Sequence, residues 1–132
     1  MASFILVAGA WHGAWCWEYV IPLLEARGHR AVAAELPGMG ADRTPLAEVD
    51  FTAWAQAVAE VVETAAEPVI LVGHSGGGPI AWAAVDARPE KVARVVSSIA
   101  GRRATGRPST PTFPSSIRKS RCRTGLSSTT PT

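Results

Sequence analysis

Residues 68–80, PVILVGHSGGGPI, run an apolar stretch into a glycine-rich turn and then into a helical pattern, and their reading decides the fold. Val69-Ile70-Leu71-Val72 is short, aliphatic and uninterrupted, which predicts a strand buried on both faces of a parallel sheet. Gly76 to Arg88 is rich in alanine and stops before Pro89, which predicts a helix. Between them Gly73-His74-Ser75-Gly76-Gly77 has the form G-x-S-x-G. A serine on so tight a strand-to-helix turn has a strained backbone, and flanking glycines remove the clashes its neighbours would otherwise make. The Ser75 hydroxyl is thereby held clear of the sheet.

A glycine-rich turn after a strand can also cradle phosphate, but the residues present do not fit that role. A Walker loop ends in Gly-Lys-Ser/Thr, and the dinucleotide fingerprint requires glycine where Ser75 stands. Nucleophilic attack by serine fits better. The helix starting at Gly76 directs unsatisfied N–H groups and the positive end of its dipole at the same point, so negative charge growing on an attacked carbonyl oxygen would be stabilised there. The Gly76 N–H is one expected oxyanion donor. The second is expected from the loop after the first strand, where Gly9 lets the backbone approach, and is assigned to the Ala10 N–H.

Outward from this motif the pattern alternates. Phe4 to Ala8 reads as a first buried strand, and Trp17, Val20, Ile21 and Leu24 as a helix of about two to three turns stopped by Gly28, with Pro22 tolerable only near its first turn. Arg30 to Leu36 reads as a second strand running into the turn Pro37-Gly38-Met39-Gly40. From Thr52, the residues Trp54, Ala57, Val58, Val61, Val62 and Ala65 define one face of an amphipathic helix, capped by Asp50 or Thr52. Val92 to Ala100 reads as a fourth strand. The order βαβαβαβ implies an α/β fold, a four-stranded parallel sheet with flanking helices, with ligands at the carboxyl ends of the strands.

Charge divides the chain. Residues 1–100 hold 6 Lys and Arg against 11 Asp and Glu, a net −5, whereas residues 101–132 hold 7 basic and 0 acidic side chains. The second segment contains 7 Thr, 6 Ser and 4 Pro in 32 residues, with Phe113, Ile117 and Leu126 as its large apolar side chains. It buries too little surface to offset its ordering entropy and is expected to be a disordered, solvated tail rather than a nucleic-acid or membrane contact. One domain over 1–100 is therefore expected. Cys16 and Cys122 share no metal or disulfide spacing, the opening MASFILVAGA lacks the basic residues of a signal peptide, and no run reaches the roughly 18 to 20 apolar residues of a membrane span. A soluble cytoplasmic protein without metal or cofactor is the expectation.

The stretches VAGAWHGAWCWEYVIPLLEARGHR, LPGMGAD and PVILVGHSGGGPIAWAA resemble bacterial relatives of the plant methylesterases and hydroxynitrile lyases in the α/β-hydrolase superfamily. The resemblance runs from about Ser3 to Ala100 and covers roughly half of that fold. His74 before the serine and Ala10 in the oxyanion loop are similar to the esterase members, so hydrolysis of a small-molecule carboxylic ester is implied. Many relatives have His-Gly where this chain has Ala8-Gly9, and Met or Leu where it has Gly76; neither difference removes a backbone donor.

The family's triad acid and histidine follow the nucleophile in that order. Here the last histidine is His74 and the last carboxylate Glu90. His12 is the one conceivable substitute base, but packing near Trp11 and Trp15 is the plainer account, and it is assigned no catalysis. Trp11 and His12 are candidates for one wall of a substrate pocket. His74 is expected to point away from Ser75 in a structural role, and His29 to lie at the surface. Activity near background is expected for this chain, with a frameshift near Gly101 as one origin of the tail and an open edge at the fourth strand as one consequence. A remnant or binding module that keeps the fold without the chemistry is the other reading.

Overall fold

In a computed structural model, the described residues are 1–98. Four strands form one parallel sheet: β1 (Ser3–Val7), β2 (Arg30–Ala34), β3 (Val69–His74) and β4 (Val92–Ser98), in the order β2-β1-β3-β4. Three helices connect them: α1 (Val20–Glu25), α2 (Phe51–Glu63) and α3 (Gly77–Ala87), with 3₁₀ turns at Ala14–Trp17, Leu46–Glu48 and Pro89–Lys91. The α/β class, the four parallel strands and the flanking helices agree with the reading of the sequence. The tail assigned to 101–132, and the last two residues of the fourth strand, lie outside the described residues.

The core lies between the sheet and two helices. Ile5 and Val7 of β1, Ala34 of β2, and Val69 and Leu71 of β3 meet Val58, Ala59 and Val62 of α2 and Ile80, Ala81 and Ala84 of α3. Leu6 points to the other face and is also buried, so β1 is covered on both sides, as its uninterrupted apolar run requires. β3 departs from that expectation. Val69, Leu71 and Gly73 are buried while Ile70, Val72 and His74 are half-buried, because α2 and α3 cover one face more fully than anything covers the other.

Two elements differ from their expected extents. The first helix is only six residues, α1, with Trp17 in the preceding 3₁₀ turn. Pro22 sits in its first turn, where a missing N–H costs nothing. It ends in a Schellman arrangement: His29 N–H donates to Leu24 O at 3.2 Å and Gly28 N–H to Glu25 O at 2.9 Å, with Gly28 at φ +79. β4 carries a bulge. Val69 pairs with Val92 but Ile70 with Arg94, leaving Ala93 as the extra residue, so Val92 and Val95 both pack against the core although three positions apart.

Candidate active site

The chain leaves β1 toward β2 on one side and leaves β3 toward β4 on the other. At such a reversal the loops after the two strands diverge and open a crevice at their carboxyl ends. The loop Ala8–Gly13 and the turn Ser75–Gly76 face each other there.

Ser75 has φ +50, in the left-handed region that L-residues seldom occupy. Two backbone bonds hold it: Ser75 N–H donates to Ser98 O at 2.9 Å, and Gly78 N–H donates to Ser75 O at 3.0 Å. Its side chain is exposed. Glycines make the approach possible on both sides. A Cβ on Gly77 would strike Val7 O and lie 2.6 Å from Ala8 O, so α3 starts directly on the end of β1. A Cβ on Gly9 would lie 3.0 Å from His74 O and 3.1 Å from Ser75 Cβ. The glycine expected to admit the loop is therefore the floor beneath the serine.

Ala10 N lies 3.5 Å from the point where a Gly76 side chain would begin. Among the described residues, neither the Ala10 N–H nor the Gly76 N–H donates to a protein acceptor. Gly76 is the N-cap of α3, whose first turn carries no acidic side chain, so the positive end of its dipole is unopposed by its own sequence. Two unsatisfied donors thus sit beside one exposed hydroxyl.

His74 Nδ1 lies 3.1 Å from Ser98 Oγ, its register partner on β4. His12 lies in the loop after β1, its Nδ1 2.9 Å from Ala10 O and its ring 5.5 Å from that of Trp15. Trp11 is not packed beside it but 89% exposed, at φ +67. His29 corrects its expected surface position. It is half-buried, its Nδ1 accepts from Ala2 N–H at 3.2 Å, and its ring meets Phe4 edge-on at 5.4 Å.

Ser98 is the residue that motif reading misses. It holds both the serine turn and His74, and its one signal is its register opposite His74 at the end of β4. A cavity of about 450 Å³ lies at the far end of the sheet, lined by Phe4, Val32, Val61 and Ala65 among others, and is remote from Ser75. No group of three His, Cys, Asp or Glu able to hold a metal occurs among the described residues. No helix among them is long and apolar enough to cross a membrane.

A strained serine between a strand and a helix, floored by glycine and flanked by two free N–H groups, is the geometry against which relatives can be compared. The family model for the alpha/beta hydrolase family matches residues 4–127. The chain belongs to the alpha/beta hydrolase family. It is 42% identical over 97 residues to Esterase PIR7B of Oryza sativa subsp. japonica, covering 70% of this chain and 36% of that protein. To Methylesterase 2 of Arabidopsis thaliana it is 43% identical over 94 residues, covering 67% of this chain and 35% of that protein. The crystal structure of polyneuridine aldehyde esterase superposes with a TM-score of 0.70 at 35% identity, over 74% of this chain and 39% of that one. This alpha/beta hydrolase chain thus spans little more than a third of the length of the curated relatives it matches.

Proposed function

We propose that the chain carries the nucleophile and oxyanion hole of a serine esterase acting on carboxylic esters of small molecules. The observation that supports this most directly is the left-handed Ser75 beside the unpaired Ala10 and Gly76 N–H groups. The esterase names of the similar proteins favour the same substrate class. In this reading Ser75 Oγ bonds to the ester carbonyl carbon while the carbonyl electron pair moves onto oxygen. The two N–H groups donate to that oxyanion, which they stabilise more than the neutral carbonyl. Trp11, one residue beyond Ala10 and open to solvent, supplies an apolar wall for the ester. No metal or cofactor is required. Free Cys16 fits the reducing, cytoplasmic setting that belongs to the same proposal.

The serine proton must go to a base. Within these 132 residues no histidine follows His74 and no carboxylate follows Glu90, and neither lies where the family's later acid and histidine would stand. Loss of triad members typically costs ~10⁴ to 10⁶ in turnover, so the 132-residue polypeptide is expected to hydrolyse an aryl acetate no faster than its Ser75→Ala variant. Adduct formation is expected nonetheless. An arylboronic acid should add to Ser75 Oγ, releasing the hydroxyl proton to buffer and giving a tetrahedral boronate visible by ¹¹B NMR. Loss of that signal in Ser75→Ala would support the reading. A wild-type chain that forms no adduct would instead make it a binding module that keeps the fold.

A further inference from the structure

Gly9, Ala10, Trp11 and His12 form a four-residue turn closed by His12 N–H donating to Gly9 O at 3.2 Å. Its third residue, Trp11, is at φ +67, the mark of a type II turn, where glycine or asparagine is the usual occupant. A bulky side chain there is strained. The unstrained alternative is a type I turn, in which the Ala10–Trp11 peptide is rotated by roughly half a turn and the third residue returns to negative φ. Something must hold the loop in the costlier form.

We propose that His12 is the positioning residue of the oxyanion loop. Its Nδ1 lies 2.9 Å from Ala10 O, and since a carbonyl oxygen only accepts, Nδ1 is the protonated nitrogen of the ring. That bond exists only while the Ala10 carbonyl faces His12, which is the orientation the left-handed Trp11 produces. A tilted contact with the Trp15 ring at 5.5 Å, with 35° between the planes, limits the swing of the imidazole. The His12 backbone N–H fixes the preceding peptide through Gly9 O. Because that peptide is planar and trans, a carbonyl held toward His12 turns the Ala10 N–H away from it. One residue therefore pins both peptide groups of Ala10, with the Ala10 nitrogen left 3.5 Å from the start of any Gly76 side chain.

This assignment rests on the reading of Ala10 as an oxyanion donor, and it replaces both earlier possibilities for His12. With Nδ1 committed to Ala10 O, the ring is turned into its own loop. It acts through the backbone rather than on the substrate.

The test separates loop geometry from adduct formation. In ¹⁵N-labelled 132-residue protein, the nuclear Overhauser effect between Ala10 Hα and the Trp11 N–H reports the orientation of the Ala10–Trp11 peptide, strong in a type II turn and weak in a type I turn. His12→Leu, which keeps the backbone N–H but loses the side-chain donor, is expected to weaken that effect and leave the amide shifts of β1 and β3 unchanged. His12→Asn places an amide N–H where Nδ1 was and is expected to restore it. An effect unchanged in His12→Leu, or one that His12→Asn fails to restore, overturns the role of His12. Absence of a boronate adduct in wild type overturns the esterase reading and leaves the turn experiment to judge His12 independently.

Discussion

Ser75 and Trp11 are the two non-glycine residues at positive φ among those described, and both border the same crevice. Each left-handed residue of this kind costs about 1–3 kcal/mol, which the surroundings must offset. For Ser75 the offset is visible in its bond to Ser98 O and in the glycines that admit β1 beneath it. Asp42 secures the neighbouring loop after β2 in a different way. Its Oδ1 accepts from Gly38 N–H at 2.9 Å and Thr44 N–H at 2.8 Å, and these bonds hold its carboxyl down at about 2 against an ordinary 3.8. The Gly38 N–H is the largest cause, followed by the Thr44 side chain and then the Thr44 N–H. A carboxyl depressed in the folded state stabilises fully above its unfolded value, and the contribution fades as pH falls from about 4 toward 2. Asp42→Asn is therefore expected to flatten the Tm-against-pH curve across that window, measured by circular dichroism; an unchanged slope would show that Asp42 does not carry it.

At the scale of elements, α2 links one end of the fold to the other. Asp50 Oδ1 accepts from Ala53 N–H at 2.8 Å, so of the two cap candidates in the sequence Asp50 is the one used. Asp50→Ala is expected to cost about 1 kcal/mol, the usual worth of such a cap, read as a lower urea midpoint with unchanged slope. Asp50→Ser should recover most of it. At the other end Glu63 meets Arg88 at 2.8 Å and Lys91 at 3.2 Å, tying the helix to the turn before β4. Both partners, Arg88 foremost, hold the Glu63 carboxyl below its usual range. Within the helix the periodicity identifies Val58 and Val62 correctly but leaves out Ala59, which is fully buried. Its burial comes from α3 lying alongside, and no periodicity within one helix reports a neighbour on its flank.

At the scale of the molecule, β4 has no neighbour on its outer side among the described residues, and Val96, on one face of that strand, is 45% exposed. A parallel strand with free N–H and C=O groups and an apolar side chain is a template for self-association. Val96→Lys is expected to lower light scattering of the concentrated 132-residue protein without shifting its Tm by more than a degree or so, as gatekeeper charges do. Scattering equal to wild type would locate the sticky surface elsewhere, the exposed Trp11, Trp15 and Tyr19 being next in line. Element order, strand identity and the serine turn are legible along the chain because each is written in local periodicity, in glycine placement and in a five-residue motif. The length of α1 is not, since Trp17, which fits its apolar spacing, falls in a separate 3₁₀ turn before the helix. Nor is the bulge at Ala93, which appears only when Val92 and Val95 are both pulled to the core. His29 looks like a surface residue after a helix stop until Phe4 of β1 and Ala2 just before it, 25 or more positions away, close on it. The same division holds for the crevice: residue types name Ser75, Ala10 and Gly76, but the hand of Trp11 and the turn of His12 onto Ala10 O depend on two peptide planes. Peptide orientation is set by contacts made after the chain has folded, so it resides in the tertiary structure.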